Sequence, residues 1–336
     1  MIITQTPFRM SFFGGGTDIE EYFRENSGAV LSTTFDKYCY VNIRYLPRFF
    51  DYRTELVYSK IERVKDNKDI SHPLIRNAIQ MLDMREIRLN YEADLPARSG
   101  LGTSSSFAVG MLNAFYALKG KYIDKKRLAD EAIYLERVLC KEAGGWQDQI
   151  AAAFGGFNRI EFGSKGYEVH PVIISPEKKR RLNQNLMMFF TGFTRFSAQI
   201  QENNQKVKMQ DKKKQLQEMY DLVSVAEQIL VNKSSDLDEF GRLLDHTWQL
   251  KRQTGSKVST DTIDLLYQKG VQAGALGGKL LGAGGGGFLL FYVQPEHQNQ
   301  VREAMKELLY IPFQFEDNGT KVLYYQPEEY QLEEDK

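Results

Sequence analysis

The sequence predicts an α+β protein of two domains, and three observations carry that expectation. Its 336 residues are more than one ordinary core takes up. In the first half, Ile87, Leu89 and Tyr91 alternate with Arg88, Asn90 and Glu92 as a strand does, and a helix-spaced run follows. From about Pro176 long polar helices come first, then strands sharing one side with helices. The boundary is therefore placed to give domains 1–175 and 176–336.

Taken in order, Ile2 to Ser11 reads as a strand interrupted by Pro7, and Ile19–Glu25 as a helix that Asp18 would cap. Tyr38 to Tyr45 puts Cys39, Val41 and Ile43 on one face of a strand. Asp51 to Asp69 is weakly patterned and is assigned one strand and a loop, and Pro73 to Met84 a helix. After the strand at 87–91 a third helix repeats Phe107, Met111, Leu112, Phe115 and Leu118 at helical spacing. Asp124 caps a fourth helix, Lys125 to Lys141, with Leu128, Ala132, Leu135 and Leu139 inward; it stops at Ala143-Gly-Gly145, and Trp146 to Gln149 opens the next. Leu186 to Phe190 is an apolar strand. Helices follow over Phe196–Val231, Leu237–Gln253 and Thr260–Ala273. Strands over Leu276–Gly282 and Phe288–Val293, a helix over Glu296–Leu309, then Phe313 and Val322–Tyr325 complete the second sheet, and Glu328 to Lys336 fray.

Composition removes several classes of function. With 44 basic and 44 acidic residues the net charge is zero, which argues against nucleic acid as a partner. The basic runs Lys178–Arg181 and Lys212–Lys214 read as solvated surface. Cys39 and Cys140 stand in no metal or redox spacing, so a reducing compartment is expected. The start of the chain lacks a basic region followed by an apolar run, and no stretch has membrane-spanning length. A cytoplasmic protein with neither membrane nor nucleic acid as partner is expected. His72, His170, His246 and His297 share no spacing with Cys or acidic residues, which leaves a structural zinc site or a Ser-His-Asp triad unsupported.

Three glycine-rich stretches remain. Leu95-Pro-Ala-Arg-Ser-Gly-Leu-Gly-Thr-Ser-Ser-Ser106 feeds a flexible backbone into a helix N-terminus, where unpaired N–H groups and the helix dipole suit a phosphate. A Ser/Thr-capped helix after a turn is the plainer alternative. Phe12-Phe-Gly-Gly-Gly-Thr-Asp18 lets the backbone approach a ligand closely, with Asp18 and Arg9 beside it. Gly282, Gly284 and Gly287 satisfy G-x-G-x-x-G, but a strand follows rather than a helix, so no dinucleotide fingerprint is present. Gly277-Gly-Lys279 misses the P-loop pattern. Two acidic residues stand out: Glu136, at the border of an apolar helix face, needs a cation or hydrogen bonds, Arg137 being the default; Asp148 is either a helix cap or a reactive carboxylate.

Pro96 through Ser104 resembles, position by position, the Pro-x3-Gly-Leu-Gly-(Ser/Thr)-Ser phosphate loop of the GHMP kinases, the superfamily of galactokinase and of homoserine, mevalonate and phosphomevalonate kinases. Pro7 to Asp18 resembles that family's first motif and Lys279 to Phe288 its third. Glu136 and Asp148 match its helix Glu and the Asp about a dozen residues later. The resemblance implies an S5-like N-terminal domain and a ferredoxin-like C-terminal domain. It places ATP on Pro96, Ser99, Gly100, Leu101, Gly102, Thr103, Ser104 and Ser105, and Mg²⁺ on Ser104 and Glu136. It makes Asp148 the general base and Arg9 the cation near the transferred phosphate. It puts the sugar against Gly15, Gly16, Thr17, Asp18, Gly285 and Gly286.

Galactokinases carry Gly-Glu-His-Thr-Asp where this chain has Gly14-Gly-Gly-Thr-Asp18, which argues against galactose. The Gly-Gly-Gly-Thr-Asp form is similar to the branch of bacterial heptose 7-phosphate kinases and fucokinases, although Glu20 and Glu21 stand where that branch often has prolines. The implied reaction is phosphorylation of the anomeric hydroxyl of D-glycero-D-manno-heptose 7-phosphate. The rivals are a kinase for an unphosphorylated sugar such as fucose and a non-catalytic sugar sensor. Lys37, Arg98, Arg195 and Arg252 are the candidate anchors for a second phosphate.

Overall fold

A computed structural model describes residues 1–97, 99–192, 209–255, 258–282 and 284–327. Arg98, Arg195, Ala283, the 196–208 part of the expected long helix and the 328–336 tail therefore lie outside the described residues. The chain folds around two sheets, as the α+β expectation required.

The first sheet has nine strands. Its spine is a long antiparallel pair, β1 (Ile2–Phe13) and β2 (Gly28–Tyr45), in register from Ile2 opposite Ile43 to Phe13 opposite Leu31. The pairing slips between Pro7 and Phe8, where proline has no N–H to give a ladder. The region 51–69 holds a two-stranded hairpin, β3 (Thr54–Val57) and β4 (Ile61–Val64), rather than one strand and a loop. β5 (Ile87–Ala93) joins it to β2, antiparallel to β2 and parallel to β3. β6 (Phe157–Gly163) and β7 (Gly166–Pro171), which the sequence reading left out, extend the other half of β2. Helices α1 (Glu20–Asn26) and α2 (Pro73–Met81) flank this sheet. The second stops three residues short of the expected end, as Asp83 takes a positive φ of 44°.

Across β1 and β2 lies α3 (Thr103–Leu118), buried nearly all round. Its small residues allow that depth, and Thr4 Oγ1 donates to the Gly110 carbonyl at 2.9 Å to fix it on β1. The helix expected over Lys125–Lys141 is α4 (Lys125–Ile133) continued by a wider π-helical segment, Tyr134–Leu139, with Glu136 in it. Such segments are rare and gather at functional sites. Asp124 does cap α4, accepting from Arg127 N at 2.9 Å. α5 (Gln147–Phe154) completes the layer.

The second sheet has four antiparallel strands in the order β11-β8-β10-β9. These are β8 (Leu186–Phe190), β9 (Ala275–Leu280), β10 (Phe288–Val293) and β11 (Leu309–Ile311). Leading into β8 is an unforeseen helix, α6 (Pro176–Asn185), begun by Ser175 accepting from Lys178 N at 3.3 Å with Pro176 in its first turn. Among the described residues three long helices, α7 (Met209–Val231), α8 (Asp238–Gln253) and α9 (Asp261–Gln272), come between β8 and β9. The helix expected over Glu296–Leu309 shrinks to α10 (Gln298–Ala304), because Leu309 begins β11.

The chain's end is where the sequence reading goes most wrong. β12 (Phe315–Glu316) and β13 (Lys321–Tyr325) do not complete the second sheet; they return to the first, against β2 and β1. Phe313 is a buried core residue between the sheets rather than a strand partner. An aromatic core joins the halves there: Phe12 stacks on Phe157 at 5.4 Å, and Phe240 of α8 meets Phe12 and Phe13 edge-on at 5.3 and 5.0 Å. Among the described residues no helix is long and apolar enough to cross a membrane.

Candidate active site

The phosphate-type loop runs from the end of β5 into α3. Gly100 and Gly102 take φ of 83° and 72°, so the first-turn amides turn outward from a left-handed N-cap. The helix start is anchored from below: Ser106 Oγ donates to the Pro7 carbonyl at 2.9 Å. Ser99, Leu101, Thr103 and Ser105 are buried, while Pro96 and Ser104 are exposed. No Ser or Thr side chain caps the helix, so the plain capping alternative is not what these residues do.

β1 brings Arg9 under this loop. Its Nη1 donates to the Gly100 carbonyl at 2.8 Å, and its backbone N–H donates to the Leu101 carbonyl at 3.2 Å. Its Nε and Nη2 lie 2.8 and 2.7 Å from Asp148 Oδ1. Asp148 stands in the first turn of α5 without capping it, and a Cβ on Gly102 would come within 3.4 Å of its carboxylate. The fold thus joins two expected site residues, 139 apart in sequence, at the mouth of the loop. Asp148 keeps 23% side-chain exposure, enough for a ligand to reach it.

Asp18 sits beside them, 3% exposed. It does not cap α1. Its Oδ1 accepts from Gly16 N at 2.8 Å and its Oδ2 from Gln147 N at 3.3 Å. Burial raises its pKa, the Gly16 and Gln147 bonds oppose that, and the negative charge of Asp148 adds to the rise. Among the described residues Ser11 Oγ and Gln147 Oε1 are buried nearby with no hydrogen-bond partner, and both side chains approach Gly15. Thr17 is different. Its hydroxyl is fully buried, 2.8 Å from the carbonyls of Gly14 and Ala29, and accepts from Ala29 N at 3.1 Å, so it ties the loop to β2.

Glu136 is 1% exposed. Arg137 does not pair with it, because that guanidinium donates to the carbonyls of Glu142, Ala143 and Gly145. Its partners are the Ser105 hydroxyl and Gln149 Nε2. Burial is the main cause that lifts its pKa from 4.5 to about 7. A raised carboxyl makes the folded state hold its proton more tightly, so stability falls as pH rises from 4.5 to about 7 and stays lower above. Glu136→Gln removes that loss, worth about 3 kcal/mol at 1.36 per pKa unit. The metal-free variant should therefore melt about 5 °C higher than wild type at pH 8, the gap closing towards pH 4.5. Equal melting curves across that range would show that Glu136 is not held in this environment.

A buried carboxyl beside Ser105, with Ser104 one residue away, fits Mg²⁺, which takes one or two carboxylates and completes its shell with waters and phosphates. Among the described residues no group of three or more His, Cys, Asp or Glu gathers, so a metal held by protein alone has no site there.

The third glycine stretch closes the site from the second sheet. A Cβ on Gly282 would lie 2.2 Å from Gly100 Cα, and one on Gly287 2.4 Å from the Ser99 carbonyl oxygen. Gly285 N donates to the Val258 carbonyl at 3.2 Å, so this amide is taken up by the connection between α8 and α9; Gly285 and Gly286 have φ of 79° and 148°. Of the expected anchors, Lys37 pairs with Asp36 at 3.1 Å and Arg252 with Asp264 at 2.8 Å. Two lysines that sequence reasoning passed over do reach the site. Lys251 of α8 donates to the Gly282 carbonyl, and Lys279 of β9 to the Phe12 carbonyl at 2.6 Å. Lys279 lay inside a quoted motif, whereas Lys251 sits in the last turn of an ordinary polar helix and carried no signal.

Comparison with known proteins points to one family. Residues 72–156 match the GHMP kinases N terminal domain and 225–311 the GHMP kinases C terminal domain. A D-glycero-alpha-D-manno-heptose 7-phosphate kinase of Campylobacter jejuni is 31% identical over 339 residues, covering 95% of this chain and 98% of that protein. A bifunctional fucokinase/GDP-fucose pyrophosphorylase of Arabidopsis thaliana is 25% identical over 90% of this chain, which spans 31% of it. Among solved structures, a D-glycero-D-manno-heptose 1-phosphate kinase from Bacteroides thetaiotaomicron superposes with a TM-score of 0.74 at 25% identity, covering 96% of this chain and 99% of that one. Two sheets, a glycine-turned phosphate loop over an Arg–Asp pair, and a match along nearly the whole length lead to one conclusion: the chain belongs to the GHMP kinases.

Proposed function

We propose that this sugar kinase phosphorylates the anomeric hydroxyl of D-glycero-D-manno-heptose 7-phosphate, giving the 1,7-bisphosphate and ADP. The observation that carries the reading is the Arg9–Asp148 pair at the mouth of the phosphate loop, in a chain 31% identical to a heptose 7-phosphate kinase along 95% of its length. GHMP kinases use ATP, typically with Mg²⁺. Backbone amides from Gly100 to Ser105, reached past Pro96, would hold the ATP phosphates. Glu136 and Ser104 would hold Mg²⁺, which supplies positive charge against the phosphate oxygens. Asp18, beside Gly15 and Gly16, would accept hydrogen bonds from sugar hydroxyls. Asp148 would take the anomeric proton as the oxygen attacks the γ-phosphorus, the bond to the β-phosphate oxygen breaks and ADP leaves. Arg9 would keep that carboxylate aimed and face the transferred charge. The assignment of 1–175 and 176–336 as two domains belongs to the same proposal, amended so that β12 and β13 count with the first sheet.

The competing reading, a fucokinase-like enzyme on a neutral sugar, has the 25% identity over 90% of the chain in its favour. The two predict opposite rankings. A far-end phosphate forms charge-assisted hydrogen bonds worth about 1.5–3 kcal/mol each. Heptose 7-phosphate should then exceed free heptose, and fucose, by at least about tenfold in kcat/KM, with the gap narrowing as salt is raised. An ADP-release assay with the sugars in competition measures this. Equal use of heptose and its 7-phosphate would sink the phosphate assignment while leaving the kinase standing.

A further inference from the structure

Among the described residues two lysines beside the site have no carboxylate partner. Arg9 and Lys251 lie beside the phosphate loop and Lys279 beside the first glycine loop, among the carboxylates of Asp18 and Asp148, while Glu136 is held apart by Ser105 and Gln149. Asp148 is engaged by Arg9. Asp18 is bonded to the amides of Gly16 and Gln147. Lys251 and Lys279 each donate only to a backbone carbonyl, and among the described residues neither ammonium has a carboxylate partner. Taking an ammonium out of water without a counter-ion is expensive, and an anion that arrives beside it relieves that cost.

The two lysines differ in reach. Lys279 is 2% exposed and holds the Phe12 carbonyl at the start of the first glycine loop, which makes it a positioning residue. Lys251 remains partly exposed. Its Nζ is held on the Gly282 carbonyl; Gly282 rests on Gly100, and the Gly100 carbonyl receives Arg9 Nη1. The ammonium therefore belongs to the same cluster as the Arg9–Asp148 pair, but arrives from the second sheet's helix layer. We propose that Lys251 is a substrate-contacting residue of the phosphoryl-transfer site, a cation supplied by α8 that binds the γ-phosphate of the nucleoside triphosphate opposite Arg9.

This rests on the kinase reading above but not on which sugar is used. Two surroundings support it. Burial, and then the positive charge of Arg9, lowers the Lys251 pKa to about 8, with Asp18 opposing. An ammonium so placed is held at a cost that a phosphate dianion relieves. Among its described residues the phosphate loop offers backbone amides and no basic side chain, and Lys251 brings one beside it from α8.

The test needs no sugar. Calorimetric titration of the full chain with Mg²⁺ and either ADP or a non-hydrolysable ATP analogue is compared for wild type, Lys251→Met and Lys251→Arg. We expect Lys251→Met to weaken the triphosphate at least about tenfold while changing ADP less than about threefold, and Lys251→Arg to recover most of the loss. Melting curves accompany the titrations. A lysine serving only to tether Gly282 would lower the melting temperature in Lys251→Met and weaken both nucleotides alike, which would overturn the proposal. So would triphosphate binding unchanged from wild type. Failure of the heptose 7-phosphate assignment would show up separately, as wild-type enzyme that binds the triphosphate normally yet does not prefer that sugar.

Discussion

Asp148→Asn is expected to bind ATP as wild type does and to lose at least about a hundredfold in single-turnover rate, the usual scale for a missing general base. Geometry makes this substitution a clean probe. Both Arg9 contacts fall on one carboxylate oxygen, Oδ1, at 2.7 and 2.8 Å, and an amide oxygen in the same place can accept them. The guanidinium therefore keeps its position, and with it the hydrogen bond to the Gly100 carbonyl that supports the loop. What disappears is a group able to take a proton beside Gly102. Rapid-quench measurement with enzyme in excess over ATP isolates the chemical step from product release. A rate within about threefold of wild type would reduce Asp148 to a support for Arg9 and leave the reaction without a base in this site.

How much of this was legible in the chain depends on the reach of each signal. The phosphate loop was readable because its cues are local: an alternating strand, a run without period rich in Gly and Ser, then a helical period. Glu136 and Asp148 stood out by position, but only the family resemblance gave them metal and base roles, since a carboxylate on a helix border ordinarily finds an ion pair and one at a helix start ordinarily caps it. The bond between Arg9 and Asp148 spans 139 residues and leaves no trace in composition or spacing. Lys251 fails for the same reason. β13 shows a different limit. Its residues announce a strand, but the choice between two sheet edges is made by tertiary packing, and Lys321–Tyr325 pairs with Gln5–Ile2 at the far end of the chain from its neighbours in sequence. β6 carried a readable cue, with Ile160 and Phe162 on one face before the Gly163–Gly166 turn. The long Gly28–Leu31 start of β2 did not, because it is buried on both faces and so does not alternate.

The second large effect is expected from a single methyl group. Gly282→Ala should lower kcat/KM for ATP by at least about a hundredfold, the loss that about 1 Å of misplacement brings to a reacting pair. A Cβ at 282 would sit 2.2 Å from Gly100 Cα and 2.9 Å from its carbonyl oxygen, both backbone atoms that cannot swing aside as a side chain would. The phosphate loop itself must move, and Arg9 with it, since its Nη1 is held on that carbonyl. The φ of 87° at Gly282 adds strain of about 1 kcal/mol for an L-residue, which would lower stability without touching chemistry. Gly120→Ala separates the two contributions: Gly120 has a φ of 64° but nothing within 4 Å of the added carbon. Both variants should therefore melt lower than wild type, while only Gly282→Ala loses activity at a temperature where each is fully folded. Comparable activity in the two would mean that the glycine loop of the second sheet does not set the position of the phosphate loop, and that the contact between Gly282 and Gly100 is packing without consequence for catalysis.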